Sequence, residues 1–184
     1  MCSSDLGTVI HVVDPDGNEC ATDEVGEIII EGPQLMKAYW NRPDDTRDAI
    51  RAGWLHTGDA GYYDADGYLY IHDRLKDMIV SGGENVYPAE VEGVLAACRG
   101  IADVAVIGVP DERWCEAVKA LVIRQAGSEI NARDITAFAQ QNMARFKCPK
   151  SVDFVDSIPR NPSGKILKKL LREPYWAGFE RRVS

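Results

Sequence analysis

The sequence has little that could hold a fold together covalently or through metal. Its five cysteines, at positions 2, 20, 98, 115 and 148, show no CxxC spacing and have no nearby histidine pair. That pattern argues against both a zinc site and a disulfide framework, so no metal site is expected and the thiols read as free and mostly structural. No apolar run approaches the roughly 20 residues that span a bilayer. The opening MCSSDLG has neither the basic nor the apolar region of a leader. The chain therefore reads as cytoplasmic, without a transmembrane segment. Internal repeats and low-complexity stretches are missing too. Positive charge is in the minority, with 21 Lys and Arg against 29 Asp and Glu for a net charge of −8; its basic patch argues only weakly for nucleic acid, and no nucleic-acid partner is expected.

What is present is ordinary for a globular chain of 184 residues, 45% of them hydrophobic and 27% charged. The charge is unevenly spread. From residue 147 onward nine basic residues face four acidic ones, and the remaining 12 basic and 25 acidic residues lie before that point, so the last segment is locally +5 and the rest −13. A basic segment on an acidic chain suits a small polyanion such as a nucleotide phosphate. Taken alone, it is better explained as the solvated face of a helix over KILKKLLRE.

Periodicity gives an α+β chain. TVIHVVD and GEIIIEG are β-rich runs around the turn signal DPDGNE, and GYYDADGYLYIHD reads as a hairpin turning at Asp66 and Gly67. Residues 8–72 are thus largely β. Pro88 suits the first turn of a helix with Val91, Val94 and Leu95 as its apolar stripe. ADVAVIGVP and AVKALVIRQ read as strands, Asn131 as the cap of a helix reaching about Met143, and SVDFVDSIP as a last strand. A loop holding Lys165 and a short basic helix follow. Residues 1–6 precede the first strand without turn or cap logic, so residues 1–7 are set outside the fold as a scar or disordered segment. The change of period near residues 73–80 marks a domain boundary.

Four stretches, GEIIIEGPQLMKAYWNRP, GWLHTGDAGYYDADGYLYIHDRLKDMIVSGGENVYPAEVE, GVPDERWCEAV and PRNPSGKILKKLLRE, stand in an order and spacing that resembles the carboxyl-terminal part of adenylate-forming enzymes. Among these the chain looks most like acyl-CoA synthetases of the fatty-acid ligase type. The likeness runs from Thr8 onward. It implies the β-rich end of a large AMP-binding domain over residues 8–75 and a small carboxyl-terminal domain over 76–184. That family joins a carboxylic acid to ATP (with Mg2+) as an acyl-adenylate, then passes the acyl group to a thiol, usually coenzyme A, after the small domain swings. The family's large amino-terminal domain carries a Ser/Thr/Gly-rich phosphate loop and most of the acyl pocket. Neither is in this sequence, so the resemblance implies a fragment, inactive alone, whose magnesium ligands lie elsewhere.

Residue by residue, the resemblance makes Asp59 of HTGD the ribose ligand, with Thr57 and Gly58 shaping its turn; the bland alternative is an Asx turn. Arg74 of DRLKD contacts the nucleotide and Lys76 is the hinge, both on one side of an extended segment; alternatively Arg74 pairs with Asp73 or Asp77 at the surface. Gly82 and Gly83 let pantetheine pass close to the backbone, or simply open a loop ahead of a helix. Glu90 would offset the helix dipole there. Trp114, Phe146 and Lys147 are candidates for holding the CoA nucleotide, though core packing serves the two aromatics equally. Cys115 stands where the family often has glycine, and Cys148 where a basic residue is sometimes found. Lys165 would be the catalytic lysine of adenylation, kept out of helix by Pro162 and Gly164. Two other readings stay open, an adenylation domain that loads a carrier protein and a noncatalytic fragment.

Overall fold

The computed structural model describes residues 7–179. Cys2 and nearly all of the segment read as a scar lie outside the described residues. The chain divides after Leu75 into two compact units.

In the first unit an antiparallel sheet is built from β1 (Val9–Val13), β2 (Gly26–Glu31), β3 (Ile50–Arg51), β4 (Trp54–Tyr63) and β5 (Leu69–Arg74), with helix α1 (Pro43–Ala49) before β3. β4 is central, with β2 on one edge and β3 and β5 on the other. Two of the connecting turns are the same device. In DPDGN, Asp14 accepts the Asp16 and Asn18 N–H groups on Oδ1, and Gly17 adopts φ +85°. In DADGY, Asp64 does the same for Asp66 and Tyr68, with Gly67 at φ +79°. The aspartate supplies the acceptor and the glycine the left-handed residue.

The second unit contains β6 (Ile79–Ser81), β7 (Glu84–Val86), α2 (Pro88–Ala96), β8 (Ile101–Asp111), β9 (Cys115–Arg124), α3 (Ala132–Asn142), β10 (Ser151–Phe154) and α4 (Lys168–Trp176). β9 is the central strand. β8 lines one of its edges along its whole length, while β6 and the parallel strand β10 occupy successive stretches of the other. Alternation along β8 and β9 sends Val104, Val106, Val118, Ala120 and Val122 to one face, where α2 and α3 cover them with Val91, Leu95, Ile135 and Ala139. Ala105, Ile107, Val109, Ala117 and Leu121 face the other way, under Leu171 and Tyr175 of α4. Asn131 caps α3 through a reciprocal box with Asp134. This is the expected α+β architecture. No helix among the described residues is long and apolar enough to cross a membrane.

Two local expectations change. Lys76 lies in a 3-10 turn (Leu75–Asp77) rather than an extended segment, so it does not share a strand face with Arg74. The basic helix is not simply solvated: Lys168 is buried against Glu92 at 2.9 Å, and Arg172 pairs with Asp77 at 3.0 Å with both side chains largely covered.

Candidate functional site

Asp59 sits within β4 and not after a turn, between two irregularities of the strand. Toward β2, two β4 residues are inserted between the Ile29–His56 and Glu27–Ala60 pairs. Toward β5, the register slips between Ala60 and Gly61. Such bulges re-aim side chains. Gly58 takes φ +70° there, and its N–H donates to Glu27, whose other carboxylate oxygen lies 2.7 Å from His56 Nδ1. Thr57 Oγ1 donates to Ile28 C=O at 2.7 Å and accepts the Asp59 N–H at 3.1 Å. Asp59 and Arg74 are cross-strand neighbours, and Arg74 Nε stands 2.6 Å from Asp59 Oδ1. The guanidinium of Arg74 is therefore paired with Asp59, while Asp73 Oδ1 accepts the Arg74 backbone N–H at 2.7 Å and Asp77 pairs with Arg172. A carboxylate has about four acceptor sites, so one guanidinium contact leaves capacity for a diol.

The remaining predicted residues belong to the second unit. Gly82 and Gly83 form the two-residue turn of the β6–β7 hairpin, with φ +64° and +88°. Gly82 packs on Trp114: its N–H donates to Trp114 C=O at 2.9 Å, and a Cβ on it would fall 2.5 Å from Trp114 Cε3. Gly83 has open space around it. Trp114 follows the end of β8, half-buried, with the Arg113 guanidinium 4.6 Å and the Lys150 ammonium 5.9 Å from its ring. Phe146 is exposed, and Lys147 lies 5.7 Å from its ring centre. Lys147 also binds both carboxylate oxygens of Glu90, at 2.6 and 2.8 Å. The backbone C=O of Lys76 accepts from Arg172 Nη1 of α4 at 3.3 Å. Burial raises the thiol pKa of Cys148, whose side chain is in the core.

Lys165 ends a third copy of the DPDGN turn, here spelled NPSGK. Asn161 Oδ1 accepts the Lys165 N–H at 2.9 Å and the Ser163 hydroxyl at 2.8 Å, and Gly164 adopts φ +84°. Asn161 N–H donates to Lys165 C=O. The side chain of Lys165 is exposed and has no partner among the described residues. Sequence reasoning credited Pro162 and Gly164 with holding this loop and missed Asn161, although an Asn three residues before a Gly is a turn signal. It also missed Arg160, which reaches both Gly164 C=O and Asp103.

Within this unit the Lys165 turn and the Gly82–Gly83 turn stand at opposite ends of β8. Arg160 is fixed to Asp103 near the start of β8, and Trp114 follows its last residue, Asp111. Asp111 lies eight residue steps along the strand from Asp103, about 27 Å at the usual rise. Among the described residues no group of three or more His, Cys, Asp or Glu side chains is arranged to hold a metal ion.

Residues 90–165 match the model of the AMP-binding enzyme C-terminal domain, a span that ends on Lys165. Over 178 residues the chain is 47% identical to the fatty acid–[acyl-carrier-protein] ligase ScoC of Streptomyces coeruleorubidus, covering 97% of this chain and 34% of that protein. Over 152 residues it is 54% identical to the long-chain-fatty-acid–CoA ligase FadD13 of Mycobacterium tuberculosis, covering 83% and 30%. The crystal structure of ATP-bound MatB from Rhodopseudomonas palustris superposes with a TM-score of 0.86 at 39% identity, covering 94% of this chain and 35% of that one. The chain thus spans about a third of the length of the curated relatives it matches. With strands, turns and these matches in agreement, the chain belongs to the adenylate-forming enzymes and carries their AMP-binding C-terminal domain.

Proposed function

We propose that this chain serves an AMP-forming acid–thiol ligase that activates a fatty acid as its acyl-adenylate and transfers it to coenzyme A. The observation that carries the reading is the placement of the Lys165 turn and the Gly82–Gly83 turn at opposite ends of β8, in a unit that begins at Lys76. In the first step a carboxylate oxygen attacks the α-phosphorus of ATP and the bond to pyrophosphate breaks. Asp59 accepts the ribose hydroxyls, Arg74 orients that carboxylate and contacts the nucleotide, and Lys165 offsets the charge gathering at the α-phosphate. In the second step the CoA sulfur attacks the acyl carbon, AMP leaves with the acyl–oxygen electron pair, and the thiol proton passes to solvent. Gly82 and Gly83 give pantetheine room, while Trp114, Phe146 and Lys147 hold the CoA nucleotide by stacking and phosphate pairing. Lys76 is the pivot that exchanges the two ends. The names of ScoC and FadD13 support a fatty acid as substrate.

ScoC also favours a second reading, in which the acceptor is the phosphopantetheine thiol of a carrier protein. The chemistry at the acyl carbon is the same, and only the nucleotide contacts of Trp114, Phe146 and Lys147 become idle.

The test joins this chain to the amino-terminal portion of FadD13 and measures the half-reactions separately. Lys165→Ala is expected to slow pyrophosphate release about a hundred- to thousandfold and to leave thioester formation from supplied acyl-adenylate nearly unchanged. Gly83→Leu should do the reverse. Equal losses in both steps would overturn the two-ended reading. Saturation by CoA against a holo carrier protein distinguishes the acceptors.

A further inference from the structure

The turn that presents Lys165 is held from outside by a side chain that its two sister turns lack. Arg160 Nη1 donates to Gly164 C=O at 2.8 Å, while Nη2 lies 2.9 and 2.8 Å from the two carboxylate oxygens of Asp103 on β8. Asp103 Oδ1 also accepts the Val104 N–H at 2.9 Å, which orients the carboxylate on its own strand. The DPDGN and DADGY turns share with the lysine turn the bond from the fifth residue's N–H to the first side chain and the glycine conformation, yet no side chain among the described residues reaches Gly17 or Gly67 C=O. The turn therefore forms without the clamp. What the clamp adds is a fixed placement of the turn on β8.

The other flank is secured on the same strand. Lys168, buried at 9% exposure, lies 2.9 Å from Glu92 Oε1, and that oxygen accepts the Val106 N–H of β8 at 2.8 Å. Both sides of the lysine turn are thus pinned to β8, while the Lys165 side chain is exposed and unpartnered among the described residues. A flexible ammonium acts as a point charge, so its effect depends on where its backbone is held.

We infer that Arg160 and Asp103 are positioning residues for Lys165 in acyl-adenylate formation: Arg160 locks the Gly164 carbonyl, next to Lys165, onto the Asp103 carboxylate of β8. The inference rests on the adenylation role proposed above for Lys165. Neither residue touches a substrate. Their loss should appear in the rate of the step that uses Lys165, and in no other.

The FadD13 chimera provides the test. Arg160→Met and Asp103→Ala should each slow pyrophosphate release about ten- to a hundredfold, the scale of an ångström-sized misplacement. The KM for ATP and thioester formation from supplied acyl-adenylate should both stay within about twofold, because misplacing Lys165 touches only the adenylation rate. In a Lys165→Ala background, adding Arg160→Met should cost no more than about twofold further, since the clamp acts through the removed group. A urea midpoint for each variant reports folding, and Asp103→Asn, which keeps an acceptor for Val104 N–H, replaces any variant that does not fold. Equal slowing of both half-reactions, or full additivity with Lys165→Ala, would assign a structural role and overturn the inference. Adenylation unchanged in the clamp variants but crippled by Lys165→Ala would overturn the inference alone. Adenylation unharmed by Lys165→Ala would overturn the reading of Lys165 beneath it.

Discussion

Cys115 has φ +65° and is exposed, in the left-handed region that an L side chain enters at a cost of roughly 1–2 kcal/mol. Glycine has no Cβ to clash there but gains about 0.5–1 kcal/mol more unfolded-chain freedom. Cys115→Gly is therefore expected to stabilise the second unit by up to about 1 kcal/mol, read as a higher urea midpoint. A lower midpoint would show that the side chain is held by contacts rather than tolerated. The paired glycines give a sharper contrast. Both adopt positive φ, but only Gly82 would drive a Cβ into Trp114. Gly82→Ala should destabilise by about 2 kcal/mol more than Gly83→Ala, because overpacking is added to backbone strain. Similar losses would mean that Trp114 moves aside freely.

At the scale of elements, α4 is docked by polar contacts as well as by Leu171. Tyr175 Oη donates to Asp153 Oδ2 at 2.7 Å, Lys119 Nζ reaches the same oxygen at 2.8 Å, and Trp176 Nε1 donates to Gly108 C=O at 2.9 Å. Burial and then the Asp153 bond push the Tyr175 phenol from its ordinary value near 10 up to about 12. Its contribution is fully present below pH 10 and is lost as pH rises through about 12. The Lys119 and Tyr175 bonds hold the Asp153 carboxyl below its ordinary 3.8, so that contribution is present above the ordinary value and is lost as pH falls through the lower folded one. Thermal melts against pH should show both limbs. Tyr175→Phe should flatten the alkaline limb and Asp153→Asn the acid one; unchanged limbs would place these pH effects elsewhere. The elements themselves were unequally legible. Long strands with clean alternation and the Asn131-capped helix could be read directly, as could both aspartate turns. α1 buries no residue, and β3, β6 and β7 have two or three residues, too few to show a period. Lys165 stood out in its motif, but its clamp joins residues 57 positions apart and becomes visible only once β8 is laid beside the loop. The Asp59–Arg74 pair likewise depends on a hairpin register that a bulge shifts.

Over the whole molecule the buried apolar groups are unevenly shared. Among the described residues of the first unit the buried hydrophobics are Val12, Val13, Ile28, Ile29 and Ala60, and Tyr70 and Ile71 of its edge strand are exposed. The second unit has apolar clusters on both faces of its sheet, with α2 and α3 over one and α4 over the other. Local opening follows buried contact, and burial contributes about 25 cal/mol per Å2 of apolar surface, so the second unit should be the stable one. Hydrogen exchange followed by mass spectrometry is expected to show β8 and β9 protected about a hundredfold or more beyond β2 and β4, the scale of a few kcal/mol in opening free energy. Residues 76–184 alone should then melt close to the upper transition of the whole chain, because every contact described for α2, α3 and α4 stays within that unit. One shared transition with equal protection in both sheets would mean that the units stabilise each other. In that case a hinge at Lys76 would have to work against that mutual stabilisation, and the exchange of the two ends of β8 proposed for catalysis would lose its physical basis.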